Sequence, residues 1–190
     1  LGLIGSTFDY EHGGMQLPNL LSQACFAHFQ SANIATSSYS MLTMGAGNLI
    51  ESFGSDEQKA RFLQPMIDGR FFGTMALTEP HAGSSLSDIR TKAEPHADGS
   101  YRIKGNKIFI SGGDQPISEN IVHMVLARLP DAPPGVKGIS LFIVPKFLVN
   151  DDGSLGPRND VILAGLFHKM GWRGTTSTAL NFGDNDDCVG

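Results

Sequence analysis

A run of hydroxyl, amide and glycine groups near the middle of the chain has the chemistry to hold a polar ligand. Its sequence is Thr74-Met-Ala-Leu-Thr-Glu-Pro-His-Ala-Gly-Ser-Ser-Leu-Ser, and it leads from a strand-like stretch into a loop. Gly83 permits unusual backbone angles there, and Thr78, Ser84 and Ser85 place hydroxyls beside free backbone amides. Such groups can bind a polar cofactor or a pyrophosphate. They are also typical of a β-bulge and turn in which hydroxyls cap the backbone.

A second segment, Lys107-Ile-Phe-Ile-Ser-Gly-Gly, combines an aromatic ring, a hydroxyl and a pair of glycines. Strand alternation would place Ile108 and Ile110 on one face, and Phe109 and Ser111 on the other. The double glycine would let a ligand or another backbone approach closely. A ring and a hydroxyl on one face suit a flat heteroaromatic ligand, although a core strand that ends in a turn has the same sequence pattern.

Helices are predicted in the first third of the chain. Apolar residues at spacings of three and four predict an amphipathic helix over residues 17–30, and a second helix is expected to end near Gly54. Ser55-Asp-Glu-Gln has the pattern of a capping box, in which the Gln58 amide donates to the Ser55 hydroxyl and the Gln58 side chain bonds back. This box predicts a third helix that extends to about Ile67.

Strands are predicted after Arg70, where β-forming runs alternate with turn residues. Gly105-Asn106 can adopt the two positive φ values of a type I′ turn, which predicts a hairpin over residues 101–110. The sheet is expected to be largely antiparallel, with exposed loops at 130–135 and 150–156. The expected strands are 74–78, 89–93, 101–104, 107–111, 121–128, 139–144, 161–170 and 176–182.

Composition and motif searches exclude several classes of function. The 190 residues carry a net charge of −5, so the chain has no basic field for nucleic acid. No apolar run approaches the roughly 18 residues of a membrane span, and a soluble protein is expected. Two cysteines and six scattered histidines form no disulfide framework and no metal-ligand spacing, which favours a reducing compartment and no metal. The GxGxxG, GxxxxGK[ST], HExxH and GxSxG patterns are also absent from the sequence.

The order of these segments resembles the acyl-CoA dehydrogenase family. Leu77-Thr-Glu-Pro-His-Ala-Gly-Ser, then Thr91-Lys-Ala, then residues 101–113 are similar to the family's two signature segments in order and separation. Similarity continues from Phe53-Gly-Ser-Asp-Glu-Gln-Lys to Cys188-Val-Gly and covers nearly the whole chain. The resemblance implies an α+β fold with two parts. Residues 1–70 would belong to an N-terminal helical domain and residues 71–190 to a largely antiparallel, barrel-like middle domain, while the family's C-terminal helical bundle would be absent.

The resemblance implies FAD as the cofactor and assigns its contacts residue by residue. Leu77 and Thr78 are expected at the isoalloxazine ring, and Ser111 is expected to bond near flavin N5. Gly83 and Ser84 are expected near the pyrophosphate, with Ser84 also bordering the pantetheine of the substrate. The full set of expected FAD contacts is Met75, Leu77, Thr78, Gly83, Ser84, Phe109, Ile110 and Ser111.

Four positions depart from the family's usual pattern. Phe109 stands where members commonly have tryptophan, so an aromatic face is kept and an indole donor is lost. His81 replaces glycine or glutamine, Ser85 replaces aspartate, and Met75 replaces a frequent aromatic residue.

The family reaction would oxidise an acyl-CoA thioester to its 2-enoyl form. A glutamate outside these residues would remove the α proton while hydride leaves the β carbon for flavin N5, so this chain is expected to hold no catalytic residue and to be inactive alone. Glu79 is expected to order its loop rather than act as the base. A flavin monooxygenase or acyl-CoA oxidase of the same fold is an alternative, and a catalytically silent binding domain is another.

The resemblance also implies partners and a location. The partners are an acyl-CoA thioester and an electron acceptor such as an electron-transfer flavoprotein. The full-length protein is expected to form a dimer or tetramer in the cytoplasm, or in the mitochondrial matrix of a eukaryote.

Overall fold

Helices form the N-terminal part of the computed structural model, which describes residues 2–190. Helix α1 spans Asn19–Ala32 and helix α2 spans Ile34–Phe53. Two 3₁₀ turns, Ile4–Ser6 and Tyr10–His12, precede them. Asn33 separates the two helices and caps the second, because its Oδ1 accepts the Thr36 amide at 3.0 Å. Both helices therefore lie close to their predicted positions.

The capping box predicted at Ser55 is confirmed. The Gln58 amide donates to the Ser55 hydroxyl at 3.2 Å, and the Ser55 amide donates to the Gln58 side chain at 2.9 Å. The helix that follows contains a π-helical segment, so it divides into α3 (Asp56–Gln58), the π segment (Lys59–Leu63) and α4 (Gln64–Ile67).

The apolar face of α1 is largely uncovered by the described residues. Only Ser22 and Phe26 of this helix are buried. Leu20 and Leu21, which the amphipathic pattern places on the inner face, are 85% and 49% exposed. The predicted helix is confirmed. Its apolar side chains, however, have almost no packing partner among the described residues.

The strands are β1 (Phe71–Ala76), β2 (Lys92–Pro95), β3 (Tyr101–Ser111), β4 (Asn120–Arg128), β5 (Ile139–Pro145), β6 (Phe147–Val149), β7 (Leu155–Arg158), β8 (Val161–Leu166) and β9 (Ser177–Phe182). Most of them form a curled, mostly antiparallel sheet of seven strands, in the order β1-β4-β2-β3-β9-β8 with β5 paired to β4. Parallel pairing joins β4 to β1 and, at one position, to β2. A separate two-stranded sheet pairs β6 with β7. The expected α+β fold with a largely antiparallel sheet is confirmed.

The hairpin predicted at Gly105-Asn106 is wrong, because β3 runs through both residues as one strand of eleven. Its first half pairs with β2 and its second half pairs with β9. The two halves of β3 therefore pair with other strands and not with each other, as a hairpin would require. Gly105 serves close packing instead of a turn. A Cβ added there would lie 2.4 Å from the Thr91 hydroxyl oxygen.

Three other strand predictions and one loop prediction differ from the structure in extent, and the first is β1, which spans Phe71–Ala76 instead of 74–78. Residues 89–91 lie outside β2, because the Arg90 and Thr91 amides donate to the Glu79 carboxylate instead of a neighbouring strand. Strand β8 ends at Leu166, and residues 167–170 leave the sheet. The loop predicted at 150–156 is partly a short hairpin, because β7 begins at Leu155 and pairs with β6.

Two hydrophobic cores stabilise the helices and the sheet. The first joins the helices to β1 and β4, and it includes Ile50, Leu63, Phe71 and Val122. Because α2 and the sheet share this core, burial of apolar surface couples the helical part to the strands. The second core lies within the sheet and contains Ile103, Ile110, Val125, Val144, Leu180 and Phe182.

Candidate functional site

The loop that follows β1 is organised around the buried carboxylate of Glu79. This carboxylate accepts the Arg90 amide at 2.7 Å, the Thr91 amide at 3.0 Å and the Thr91 hydroxyl at 2.6 Å. Lys107 Nζ lies 2.9 Å from Glu79 Oε1, and both side chains are almost fully buried. Glu79 and Ala82 also pair their backbones in a tight turn. The expectation that Glu79 orders its loop agrees with these contacts.

The charges of this pair follow from its surroundings. Burial alone would raise the pKa of Glu79, but hydrogen bonds from Thr91, Arg90 and Lys107 outweigh burial and hold the pKa below its ordinary value. Burial lowers the pKa of Lys107, and the contact with Glu79 opposes that shift. Glu79 is therefore an ionised carboxylate whose two oxygens both accept hydrogen bonds from the protein.

A β-bulge in β3 directs Phe109 outward. Lys107 pairs with Leu180 and Ile110 with Thr178, so this stretch of β3 has one residue more than β9. Phe109 takes a φ of +59°, which is strained for a residue with a bulky side chain. The residue is 57% exposed, and one side of its ring packs against Phe167 at a centroid distance of 4.6 Å. The bulge breaks the expected alternation and turns Lys107 and Ile110 inward together.

Two direct contacts bring the bulge and the Glu79 loop together. The Ile108 amide donates to the Thr78 carbonyl at 2.9 Å. Lys107 Nζ donates to the Leu77 carbonyl at 3.1 Å. The tertiary structure therefore places Leu77, Thr78 and Phe109 at one junction, although about 30 residues separate the two segments along the chain.

Ser111 lines a small cavity of about 220 Å³ beside this junction. The lining also includes Trp172, which has a φ of +57°. Its indole Nε1 donates to the Ser38 hydroxyl at 2.6 Å and to the Ile34 carbonyl at 3.0 Å. These bonds hold the loop after β8 against α2. The cavity is lined by Ser38, Met41, Leu42, Ser111, Lys169, Gly171, Trp172 and Thr175.

The glycines of both segments differ from the sequence expectation. Gly83 has a φ outside the left-handed region, and it lies on an exposed part of the loop. Gly112 takes a φ of +68°, and a Cβ there would lie 3.1 Å from the Tyr39 ring. A Cβ on Gly113 would lie 2.2 Å from the Thr178 hydroxyl. The double glycine therefore accommodates protein side chains.

The remaining predicted residues occupy different environments. Met75 is 39% exposed on β1, and Ser84 is exposed on the loop. Ile110 is only 2% exposed, and its side chain belongs to the second core. Since its carbonyl accepts the Thr178 hydroxyl at 2.9 Å, Ile110 contributes structure beneath the site and no exposed side chain.

Arg128 holds the far side of the Gly83–Ser84 loop. Its guanidinium donates to the carbonyls of Ser87 at 2.6 Å, Ile89 at 3.0 Å and Gly135 at 2.9 Å. One side chain thus fixes two loops to the end of β4.

The sequence patterns did not predict that Lys107, Arg128 and Trp172 would hold the loops around the site through hydrogen bonds. The available signal was an arginine at the end of the mainly apolar β4 and a lysine directly before Ile108-Phe109-Ile110, since such charges are rarely buried without partners.

These exposed groups fit FAD. The isoalloxazine ring is flat with polar edges, and the junction offers the exposed Phe109 ring beside the partly exposed hydroxyls of Thr78 and Ser111. Ser84 offers a further hydroxyl on the outer loop. Aromatic surface with a few placed polar groups is the usual composition of a cofactor site.

The surroundings of the site contain neither a metal-binding cluster among the described residues nor a contact with the larger cavity of the fold. Within residues 2–190, no group of three His, Cys, Asp or Glu side chains is arranged to hold a metal ion. A larger cavity of about 650 Å³ lies between α2 and β5, lined mainly by apolar residues, and none of the predicted FAD contacts borders it. In the described part of the chain, no helix has the length and hydropathy needed to cross a membrane.

Family models match almost the entire chain. The acyl-CoA dehydrogenase N-terminal domain matches residues 1–70, and the acyl-CoA dehydrogenase middle domain matches residues 74–185.

Curated relatives and solved structures agree with these matches. The 3-methylmercaptopropionyl-CoA dehydrogenase of Ruegeria pomeroyi is 47% identical over 90% of this chain and 29% of that protein. A butyryl-CoA dehydrogenase of Syntrophomonas wolfei is 50% identical over 78% of this chain and 25% of that protein. The chain thus spans less than a third of the length of either relative.

The Bacillus anthracis acyl-CoA dehydrogenase complexed with FAD superposes with a TM-score of 0.78 at 26% identity, covering 99% of this chain and 29% of that one. The Megasphaera elsdenii butyryl-CoA dehydrogenase gives 0.77 at 27% identity, covering 100% of this chain and 48% of that one. These likenesses agree with FAD as the cofactor. A helical region leading into a mostly antiparallel sheet, together with two family models that cover residues 1–70 and 74–185, shows that this chain belongs to the acyl-CoA dehydrogenase family.

Proposed function

We propose that the polypeptide containing this chain oxidises an acyl-CoA thioester to the 2-enoyl-CoA with FAD. The observation that carries the proposal is the junction at which Leu77 and Thr78 meet the outward-facing Phe109. Backbone strain of about 1–3 kcal/mol at a positive φ persists only where the surrounding structure enforces it. An aromatic side chain held outward at that cost supports a ligand-binding role.

The residues of the junction divide the work of holding the cofactor. Thr78 and Ser111 supply hydroxyls for the polar edge of the flavin, and Leu77 supplies backbone groups beside the ring. Phe109 and Met75 supply apolar contact, while Gly83 and Ser84 face the pyrophosphate. Ile110 supports this surface from the core. FAD supplies the acceptor for the hydride and electron pair that leave the β carbon of the substrate.

The base that removes the α proton is proposed to lie outside the described residues. Glu79 is the carboxylate nearest the junction along the chain, but it is 4% exposed and bonded to Thr91, Arg90 and Lys107. A carboxylate with a lowered pKa and no free oxygen facing a substrate is a poor general base. This chain by itself is accordingly proposed to be inactive.

The proposal extends to partners and assembly. An electron-transfer flavoprotein is the proposed class of electron acceptor, and the full-length polypeptide is proposed to form a dimer or tetramer. The proposed location is the cytoplasm, or the mitochondrial matrix if the source is a eukaryote.

An anaerobic titration tests the reaction. The full-length polypeptide, loaded with FAD, is mixed with short, long, branched and functionalised acyl-CoAs, and the absorption band of oxidised flavin is followed. We expect at least one thioester to bleach the band and to yield the 2-enoyl product. Absence of bleaching by every thioester, together with oxygen consumption on a phenolic or heterocyclic substrate, would replace the proposal with a monooxygenase.

A further inference from the structure

The buried ammonium of Lys107 has two acceptors that belong to the same loop. Its Nζ lies 2.9 Å from Glu79 Oε1 and 3.1 Å from the Leu77 carbonyl oxygen. The Lys107 side chain is 0% exposed and that of Glu79 is 3% exposed. Lys107 therefore contacts the peptide between Leu77 and Thr78 without reaching solvent.

We infer that Lys107 and Glu79 form a positioning pair that orients and polarises the Leu77–Thr78 peptide toward the flavin. The inference rests on the proposed function, because it assigns the pair a purpose at the FAD site. It concerns two residues that are not themselves proposed to contact the cofactor.

The geometry gives Lys107 control over one particular peptide group. The Leu77 carbonyl and the Thr78 amide belong to the same planar unit, so a positive charge at the oxygen polarises the whole unit. Hydrogen bonds in series strengthen one another in surroundings of low dielectric. The ammonium thus makes the Thr78 N–H a stronger hydrogen-bond donor. On the other side of the same residue, the Thr78 carbonyl accepts the Ile108 amide at 2.9 Å.

Glu79 completes the arrangement by holding the ammonium in place. It is anchored to Thr91 and Arg90 through backbone and hydroxyl groups, so its position is set by the chain on the far side of the loop. The pair links the loop, β3 and the residues just before β2 at one point.

Stability alone does not account for burying this pair. Removal of two charges from water costs several kcal/mol per ion, and apolar replacements of similar volume are often neutral or stabilising. A buried pair aimed at a peptide beside the cofactor is better explained by a gain in orientation.

The test compares two neutral double variants of the full-length polypeptide. One is Glu79→Gln with Lys107→Met, and the other is Glu79→Gln with Lys107→Leu. Each removes both charges together and so avoids an unpaired buried ion. The matched control is Arg70→Met with Glu119→Gln, which removes an exposed pair joined at 2.8 Å at the opposite end of β1.

Three quantities are measured for each variant: the melting temperature without FAD, the FAD dissociation constant and the reduction potential of the bound flavin. We expect at least one double variant to fold with a melting temperature near that of the parent, and its FAD dissociation constant to rise about tenfold. We also expect the preference for reduced over oxidised flavin to fall about tenfold, which is about 30 mV for two electrons. The control should change neither flavin quantity.

The possible results bear differently on the positioning role of Lys107 and Glu79 and on the proposed function. A folded double variant with unchanged affinity and potential would overturn the positioning role while leaving the proposed function intact. Failure of both double variants to fold, with a folded control, would show that the pair serves folding and would also overturn it. A parent polypeptide that binds no FAD would refute the proposed function itself, and the inference with it.

Discussion

His123 makes the stability of this fold depend on pH. It lies fully buried on β4, with Nδ1 2.7 Å from the Thr74 hydroxyl. Its Nε2 has no hydrogen-bond partner among the described residues. Burial lowers the pKa of His123 to about 3, from an ordinary value of 6.5. The folded chain therefore keeps this ring neutral under conditions in which the unfolded chain protonates it.

The sign and size of the effect follow from proton linkage. Between pH 6.5 and 3 the unfolded state binds a proton that the folded state does not, so the free energy of unfolding falls as the pH falls. Within this window, each pH unit of acidification lowers the free energy of unfolding by about 1.4 kcal/mol. His123 alone should lower the free energy of unfolding by about 2 kcal/mol between pH 7 and pH 5.

The substitution His123→Asn removes the titrating ring and keeps a short polar side chain near Thr74. Urea unfolding followed by circular dichroism at pH 7, 6 and 5 gives the free energy of unfolding of each variant. We expect His123→Asn to be less stable than the parent at pH 7, because it leaves a cavity, and to lose about 2 kcal/mol less between pH 7 and pH 5. His28→Asn, at an exposed histidine of α1, is the control and should keep the parent's pH dependence. Equal pH dependence in the parent and His123→Asn would refute the argument.

Three further substitutions test individual features. Gly113→Ala should lower the free energy of unfolding by about 2 kcal/mol, because its Cβ would lie 2.2 Å from the Thr178 hydroxyl; unchanged urea unfolding would contradict this packing. Phe109→Gly relieves the positive φ but loses contact with the Phe167 ring, whose centroid lies 4.6 Å away, so it should change stability by less than about 1 kcal/mol while weakening FAD binding by the full-length polypeptide; calorimetry and an FAD titration measure the two effects, and tighter binding would count against the site. Trp172→Phe should cost about 1 kcal/mol through loss of the bonds to Ser38 and Ile34, and a melting temperature equal to the parent's would show that those bonds contribute nothing.

Local patterns in the sequence predicted most of the elements correctly. The helices over 19–32 and 34–53 and the capping box at Ser55 follow from spacing and from residues adjacent in the chain. The family resemblance, carried by short motifs in a fixed order, is confirmed by models that cover residues 1–70 and 74–185. The expected FAD contacts at Thr78 and Ser111 remain predictions, and so does the division into two domains.

Pairing between distant strands decided what local patterns could not. Gly105-Asn106 has the composition of a hairpin turn, but β2 and β9 both pair with β3 and keep it extended. Similarly, alternation predicted the faces of Ile108 and Ile110, and the bulge against β9 overturned it. A bulge is invisible in one strand, because it exists only as a mismatch between two.

The sequence by itself determined the residue types of the site and the order in which they occur. Only the tertiary structure joined Lys107 to Glu79 and to the Leu77 carbonyl, across about 30 residues of chain. Burial of a charge is tolerated only when partners surround it, and those partners come from separate elements whose approach depends on the cooperative packing of the whole sheet. The chemistry of each side chain is therefore local information, whereas its protonation, its exposure and its neighbours are properties of the folded chain.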